Sequence, residues 1–545
     1  MPHRTALARR LGALSVLLVA LPLATQSAAQ SAAQTAAQGA AAQMSTPAKP
    51  VFNIRGFDIS GDNPLPEGET SRVLAPFLRT DASMETLQKA TAALEAALKE
   101  RGFALHRVVL PPQEVGESVK LSIVKFVVGK VIIEGAQQLS EANIRASVPE
   151  LVQGSAPNFK TLAVQTTIAN ENPGKQVQIA LKESDEADQI DARVVVTEGK
   201  PWNFSTSVAN TGSRATGRDR LTFSGTHANL FDLDHQITAA YTTSIERASD
   251  VQQFGANYRA PLYRLGAVLG ASYTRSTVVG DFGALKSTGA GQTMGLSYSH
   301  YLPPDGGYRS FITLGLDDKR FDITKISGVA VPGQQVRRSR PLSLGYSARV
   351  EADNTAWGFG ADLSANVGGG AGNNLLAYQS EDARIGTTRF GVVRANANYL
   401  SALGSGWSWS LKALAQYSAD ALISGEQFGL GGASTIRGTS ERPISGDRGL
   451  LTTLEVTTPD LMPGLRMTGF ADAGWLRNNN PNATNKPASD QLASVGLGLR
   501  YSAGALALSA EWGRIVTGSV LANAGAPTLP KAGDNKFHLN LSARF

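Results

Sequence analysis

The sequence predicts a transmembrane β-barrel of about 16 antiparallel strands preceded by two small α+β units. Three observations lead there. From about Pro201 to Phe545, short segments alternate apolar residues with small or polar ones. Residues 51–199 carry two successive strand-helix-helix-strand-strand patterns. Beyond the N-terminal segment, no apolar run reaches the length of a membrane-spanning helix.

The alternation is clearest at the C-terminal end. There Phe537, Leu539, Leu541, Ala543 and Phe545 form one face, and Lys536, His538, Asn540, Ser542 and Arg544 the other. Likewise Leu221, Phe223 and Gly225 alternate with Thr222, Ser224 and Thr226; Leu265, Ala267, Leu269, Ala271 and Tyr273 with Gly266, Val268, Gly270 and Ser272; and Val495, Leu497, Leu499 and Tyr501 with Gly496, Gly498 and Arg500. Period two with one apolar face marks a half-buried strand. A second face that stays small and polar in strand after strand suits lipid outside and water inside, rather than a soluble sandwich or solenoid. At roughly 20 residues per strand with its share of loop, residues 200–545 hold about 16 strands, enough to enclose an aqueous lumen.

Ahead of the barrel, Arg4, Arg9 and Arg10 precede an apolar run over residues 11–24, and Ser27, Ala28 and Ala29 follow. This three-part pattern predicts an export signal over residues 1–29. Residues 30–50 are rich in Ala and Gln and end in Pro47 and Pro50. A flexible linker is expected there, with a short helix as the alternative because Gln30, Gln34 and Gln38 recur every four residues.

The first α+β unit is placed at residues 51–127. Residues 51–60 read as a strand, and a helix begins near Ser83 and stops at Gly102, with Leu87, Leu94, Leu98, Ala90, Ala93 and Ala97 on one face. Strands at 103–110 and 118–124 follow. The second unit, residues 128–199, repeats the order, with a strand at 130–135, helical text at 140–150 and 158–170, and strands at 175–183 and 190–199.

Composition narrows the chemistry. A formal net charge of +6 over 545 residues, with no concentrated basic block, argues against nucleic acid as a partner. With no cysteine, an exported chain of this size is held by burial, hydrogen bonding or closure of a large sheet. There is no His-Glu-x-x-His and no Gly-x-Ser-x-Gly, and the six histidines are scattered, so no catalytic residue, metal or cofactor is expected. Residues 280–288, GDFGALKST, have a passing likeness to a phosphate loop but lack its adjacent Gly-Lys.

One stretch stands apart: GGASTIRGTSERPISGDRG, residues 431–449, is polar and glycine-punctuated between two strand-like runs. Downstream, in GFADAGW, Phe470, Asp472 and Gly474 share one strand face, and Ala471, Ala473 and Trp475 the other. With Trp475 toward lipid, Asp472 points inward, where an arginine fork is a favourable partner for a carboxylate.

With these segments in order, the chain resembles the outer-membrane transporters of two-partner secretion, the haemolysin secretion/activation proteins of the TpsB type. These lie within the larger superfamily of outer-membrane assembly factors. Residues 101–124 resemble the end of a first polypeptide-transport-associated (POTRA) domain, with its Gly-aromatic, strand and Pro-Gln, and KVIIEG at 130–135 resembles the opening of a second. Residues 434–456 resemble the superfamily's signature barrel loop, and FADAG at 470–474 its Phe-x-Asp-x-Gly motif. The resemblance implies that the loop folds back into the lumen, that Arg437, followed by Gly438 and preceded by Ile436, pairs with Asp472, and that Phe470 and Gly474 support the pair. It also makes Phe545 the signal read by the outer-membrane barrel assembly machinery. In one departure, Thr439 stands where the family usually has an aromatic residue, so the resemblance does not set the packing of the loop tip.

The implied function is transport of one large unfolded exoprotein, haemolysin- or adhesin-like, across the outer membrane without nucleotide hydrolysis. POTRA domains in the periplasm would capture it, and residues 30–50, if helical, would plug the pore. An assembly factor of the same superfamily is the alternative, though such factors commonly carry more periplasmic units. A passive porin needs none.

Overall fold

The computed structural model describes residues 51–545 apart from 214–215, 279, 283–284, 288–289, 327–328, 483–484 and 524–527. The expected export signal (1–29) and the Ala/Gln-rich segment (30–50) lie outside the described residues.

The first unit comprises β1 (Gly56–Gly61), α1 (Glu67–Leu74), α2 (Met84–Glu100), β2 (His106–Val109) and β3 (Ser118–Lys125). Its sheet has the order β1-β3-β2, with β1 parallel and β2 antiparallel to β3. Good helix formers fill α2, and its start is fixed by a reciprocal cap between Ser83 and Thr86, in which Ser83 N–H donates to Thr86 Oγ1 at 3.1 Å. Leu87, Ala90, Leu94 and Leu98 are wholly buried on the face that meets Val119, Leu121 and Ile123 of β3. The strand expected from residue 51 begins only at Gly56, because residues 51–55 turn aside so that Phe52 bridges Ala82. Gln113 explains the Pro-Gln signature: its side-chain amide donates to Lys120 O at 2.7 Å and accepts from Lys120 N–H at 2.8 Å, standing in for a strand residue beside β3.

The second unit repeats this plan with β4 (Val127–Glu134), α3 (Glu141–Ser147), α4 (Phe159–Asn170), β5 (Lys175–Glu183) and β6 (Gln189–Glu198), in the sheet order β4-β6-β5. Both of its helices are capped by side chains, with Ser140 accepting from Asn143 N–H and Asn158 from Lys160 and Thr161 N–H.

From β6 the chain passes almost directly into a closed barrel of 16 antiparallel strands. These are β7 (Trp202–Ala209), β8 (Arg220–Leu230), β9 (His235–Thr243), β10 (Gln252–Leu262), β11 (Ala267–Ser276), β12 (Gly291–Tyr301), β13 (Tyr308–Phe321), β14 (Arg337–Ser339 continued by Pro341–Glu351), β15 (Thr355–Asn366), β16 (Gly391–Gly404), β17 (Trp407–Ser418), β18 (Arg448–Thr457), β19 (Leu465–Arg477), β20 (Ser489–Ala503), β21 (Leu506–Thr517) and β22 (Asn535–Arg544). Both pieces of β14 pair with β13, and the break falls just before Pro341, which has no N–H to give the ladder. Leu265 and Gly266, read above as strand, instead form a tight turn, with Gly266 in the left-handed region at φ 58° and β11 starting at Ala267.

The two faces of the wall are chemically distinct. Phe223, Leu296, Leu344, Leu363, Leu497 and Leu541 are exposed on the outside, as lipid requires. Inside, hydroxyl pairs bridge neighbouring strands, such as Ser205 with Ser224 at 2.7 Å and Thr222 with Thr242 at 2.7 Å. Turns on the side of the α+β units are short (231–234, 405–406, 504–505), whereas the opposite loops at 367–390 and 419–447 are long. Within the phosphate-like stretch, residues 280–282 and 285–287 pair as a small hairpin between two barrel strands.

The barrel closes where β22 meets β7, from Asn540↔Ala209 to Arg544↔Ser205. Phe545 extends this seam, its N–H donating to Phe204 O at 2.9 Å. At the other end Asn210 uses its side chain as a further ladder residue, donating to Phe537 O at 2.8 Å and accepting from Leu539 N–H at 2.9 Å. Replacing Asn210 with Ala should leave the barrel folded but weaken this seam by about 1–2 kcal/mol. The readout is a lower unfolding temperature in detergent electrophoresis; an unchanged temperature would assign the seam's strength to the remaining ladder.

Candidate functional site

The loop 419–447 leaves β17 and, instead of extending away from the barrel, folds inward. Phe428–Leu430 and Ile444–Gly446 pair as a short hairpin, and Gly431 and Gly432 turn the chain at φ 103° and 114°. Arg442 N–H donates to Gly431 O at 3.0 Å, and Glu441 accepts from Ala433 N–H at 2.9 Å, so the tip has its own internal bonding. Its apolar residues Leu430, Ile436 and Ile444 are buried against Leu451, Leu476, Leu492 and Ile515 of the wall.

Glycines in the wall let the loop lie flat. A Cβ at Gly474 would stand 2.6 Å from Leu430 Cδ2, one at Gly449 2.2 Å from Phe428 Cδ1, and one at Gly513 2.7 Å from the Arg437 carbonyl carbon. Gly438 reciprocates: at φ 99° its own Cβ would lie 2.8 Å from Gly513 O. Thr439 is buried, its methyl directed at the glycine turn, where a Cβ on Gly431 would lie 3.0 Å from Thr439 Cγ2.

Arg437 is 4% exposed and its guanidinium is fully engaged. Nε donates to Asp472 Oδ2 at 3.0 Å and Nη2 to Asp472 Oδ1 at 2.8 Å, a bidentate fork. The Arg437 main-chain N–H donates to the same carboxylate at 3.0 Å, and Ser494 Oγ adds a bond at 3.2 Å. Nη1 donates to Glu455 at 2.5 Å, with Glu511 at 3.6 Å. The face of the guanidinium lies 3.4 Å from the centre of the Phe470 ring, a cation–π arrangement worth about 2 kcal/mol when desolvated. One step on, Gly438 N–H donates to His538 Nε2 at 3.1 Å.

The i, i+2, i+4 spacing of Phe470, Asp472 and Gly474 therefore has a plain meaning. All three stand on the inner face of β19, where they stack on, pair with and make room for one loop. Four further groups complete the site, Glu455, Glu511, Arg500 and His538, none of which the sequence pattern marks as a partner of Arg437. Arg500 closes the cluster, bonding Glu455 at 3.0 Å and Glu511 at 3.2 Å, so two guanidiniums face three carboxylates. The signal for them was charge at inward positions of β18, β20 and β21, where a lipid-facing charge is not tolerated.

The loop's root is fixed separately, toward the opposite part of the wall. Glu426, 2% exposed, accepts from Ser339 at 2.8 Å and Arg394 at 2.9 Å and pairs with Lys319 at 3.2 Å. Asp447 accepts from Leu422 N–H at 2.9 Å and Asn479 N–H at 2.8 Å and pairs with Arg384 of the 367–390 loop at 3.2 Å. The loop is thus a strut across the lumen, anchored at Glu426 on the β13–β16 side and at Arg437 on the β18–β22 side. Among the described residues no cluster of His, Asp and Glu has the geometry of a metal site.

Comparison with known proteins fits this geometry. Residues 188–501 match the family model for the haemolysin secretion/activation protein ShlB/FhaC/HecB, and residues 52–125 match the ShlB-type POTRA domain. The chain belongs to the ShlB/FhaC/HecB family. Relatives include the outer membrane transporter CdiB of Dickeya dadantii, 24% identical over 73% of this chain and 71% of its own. The heme/hemopexin transporter protein HuxB of Haemophilus influenzae is 21% identical over 81% and 79%. The solved structure of CdiB from Escherichia coli shares the fold with a TM-score of 0.72 over 92% of each chain, at 20% identity. This family member is accordingly an outer-membrane transporter, with its barrel in the outer membrane and its α+β units in the periplasm.

Removing one partner of a buried ion pair costs about 3–5 kcal/mol. Asp472→Asn should therefore free the loop while the barrel remains closed, and trypsin should cut after Arg437 in the variant but not in the parent. A loop equally protected in both would mean that its apolar spine alone holds it.

Proposed function

We propose that this transporter carries one large exoprotein, unfolded, from the periplasm through its own lumen, with the Arg437 loop as the element that must yield to passage. The observation that carries this reading is the strut itself, a loop clamped inside the pore by a buried, fully bonded arginine. The wall beside it suits an extended chain of any sequence. Between β13 and β16, a recess of about 400 Å³ is lined by Ser343, Gly345, Ser347, Gly360 and Asn396, with the charged Asp317, Lys319, Asp362 and Arg394 toward the loop root.

Capture is assigned to the periplasmic units, by addition of a client strand to a free sheet edge. In the second unit β5 is such an edge. Its start is already occupied, since Asn170 accepts from Val177 N–H at 2.6 Å and donates to Val177 O at 3.0 Å, which leaves residues 179–183 for pairing. Main-chain bonding places little demand on client sequence. Folding of the client outside the cell makes its return unfavourable, so the chain's lack of a nucleotide-binding motif is consistent with the reading.

Arg437→Ala should lower client export at least tenfold at normal outer-membrane levels, and Arg437→Lys, which keeps the charge but not the fork, should fall between. Unaltered export by Arg437→Ala would remove the loop from the mechanism. Deletion of residues 51–125 should abolish export while the barrel still assembles. If export is indifferent to this protein and other barrels fail to insert without it, the assembly-factor alternative replaces the transport reading.

A further inference from the structure

The second unit does not hang from the barrel by a linker; the two share one hydrophobic core. Val128, Ile144, Leu162, Val164 and Ile168 of the unit pack in a single buried cluster with Tyr263, Val268 and Tyr301 of the barrel's periplasmic rim. At the centre of this contact Lys175, the first residue of β5, extends its amine into the turn 231–234 between β8 and β9. The amine is buried and donates to Asp234 Oδ2 at 2.5 Å and Asn143 Oδ1 at 2.9 Å. Tyr263 OH donates to the same Asp234 oxygen at 2.6 Å, and Asn143 Nδ2 donates to Asp234 Oδ1 at 3.1 Å. Burial pushes the Lys175 amine below its usual range, and Asp234 opposes that shift.

The turn that receives Lys175 is strained. Phe231, Asp232 and Asp234 all have left-handed backbones, at φ 60°, 56° and 59°, which persist only where the surroundings over-determine them. Here the second unit over-determines it: Asn143 Nδ2 also donates to Asp232 O at 2.9 Å, and Ser140 bonds the Asp232 carboxylate. Flanking bonds complete the seat, from Asn172 to Ala228 O at 2.8 Å and from Tyr301 to Glu171 at 2.5 Å. The joint between the two units is lighter. Its polar bonds are few, among them Phe159 N–H to Gly102 O at 2.8 Å and Asn158 to Arg101 O at 2.9 Å, and among the described residues it holds no buried ion pair.

We propose that the second unit is a permanent part of the barrel rim, that Lys175 is the positioning residue that sets its orientation, and that the periplasmic arm moves at the joint between the units. A buried pair that loses a partner is costly, and a shared apolar core does not open without exposing itself to water, whereas the inter-unit joint exposes little by flexing. On the transport reading above, on which this inference rests, the clasp holds the free edge of β5 at a constant place and angle beside the pore mouth.

The chain lacks cysteine, so a single introduced disulfide tests this cleanly. A Cβ at Gly174 would lie 3.0 Å from Ala228 Cβ across the junction, about half an ångström short of the usual disulfide range of about 3.5–4.5 Å, so a small backbone adjustment admits the bond. The Gly174→Cys/Ala228→Cys pair should form its disulfide to completion in membranes, and export should be the same, within twofold, whether the pair is oxidised or reduced. Lys175→Ala should reduce export at least fivefold at normal barrel level and expose residues 199–201 to protease, and oxidation of the same cysteine pair should restore export to it. That rescue is something a role in client binding would not show. Loss of export on oxidation in the otherwise unaltered chain overturns the proposal, as does normal export by Lys175→Ala. If Lys175→Ala does not reach the membrane, the lock in the unaltered chain decides alone. If no client is exported in either redox state, the transport reading fails, and completeness of the disulfide still decides the clasp: an incomplete one shows that the unit leaves the rim.

Discussion

A guanidinium buried in the lumen of a barrel is the constraint around which the transporter is organised. Removing Arg437 from water carries a desolvation cost that only good geometry offsets. The protein meets it with a bidentate carboxylate, a second and third acidic group and an aromatic face. These come from three strands of the wall: Asp472 and Phe470 from β19, Glu455 from β18, Glu511 from β21. The arginine can be satisfied only when the barrel has closed in register and the loop has entered it, so one side chain couples loop position to wall register. A one-residue slip would turn every partner toward lipid.

The same coupling explains where small residues are spent. Gly449, Gly474 and Gly513 are vacant positions on the inner wall that the loop fills, and Gly438 combines that close approach with a backbone that other residues rarely adopt. Had the loop been a surface feature, none of these would need to be glycine. The root, tied through Glu426 and Asp447, makes the loop a two-ended strut, so on the proposed reading transport requires movement against defined interactions rather than diffusion past a flexible segment.

Much of this was legible in the sequence. Alternation alone gave the barrel, its lipid face and the inward direction of Asp472, because in a barrel the period-two pattern and the wall's two solvents are the same fact. The Ala- and Leu-rich helix with Ser83 at its start was equally plain. By contrast α1, eight residues with Gly68 in its first turn, has too little periodicity to place, and it is held by packing against α2. The pairing of Arg437 with Asp472 came from family resemblance; the strand pattern turned Asp472 inward, but nothing in the local sequence says which arginine meets it. Glu455, Glu511 and Arg500 were visible as inward charges, but which of them meet depends on strand stagger, which no local pattern encodes. The Lys175 clasp was invisible for a related reason. Its partner is 59 residues away in another unit, and a lysine at the start of a strand ordinarily points to water.

On the proposed reading the client travels through this lumen, past the loop. The most direct measurement places a photo-activated cross-linker on β14, at inward-facing Ser347 or at lipid-facing Leu344, in transporters holding a client stalled in transit. Adducts between client and Ser347, with none from Leu344, are the predicted result. Adducts from Leu344 alone, or from neither position while the client is demonstrably crossing, would contradict it.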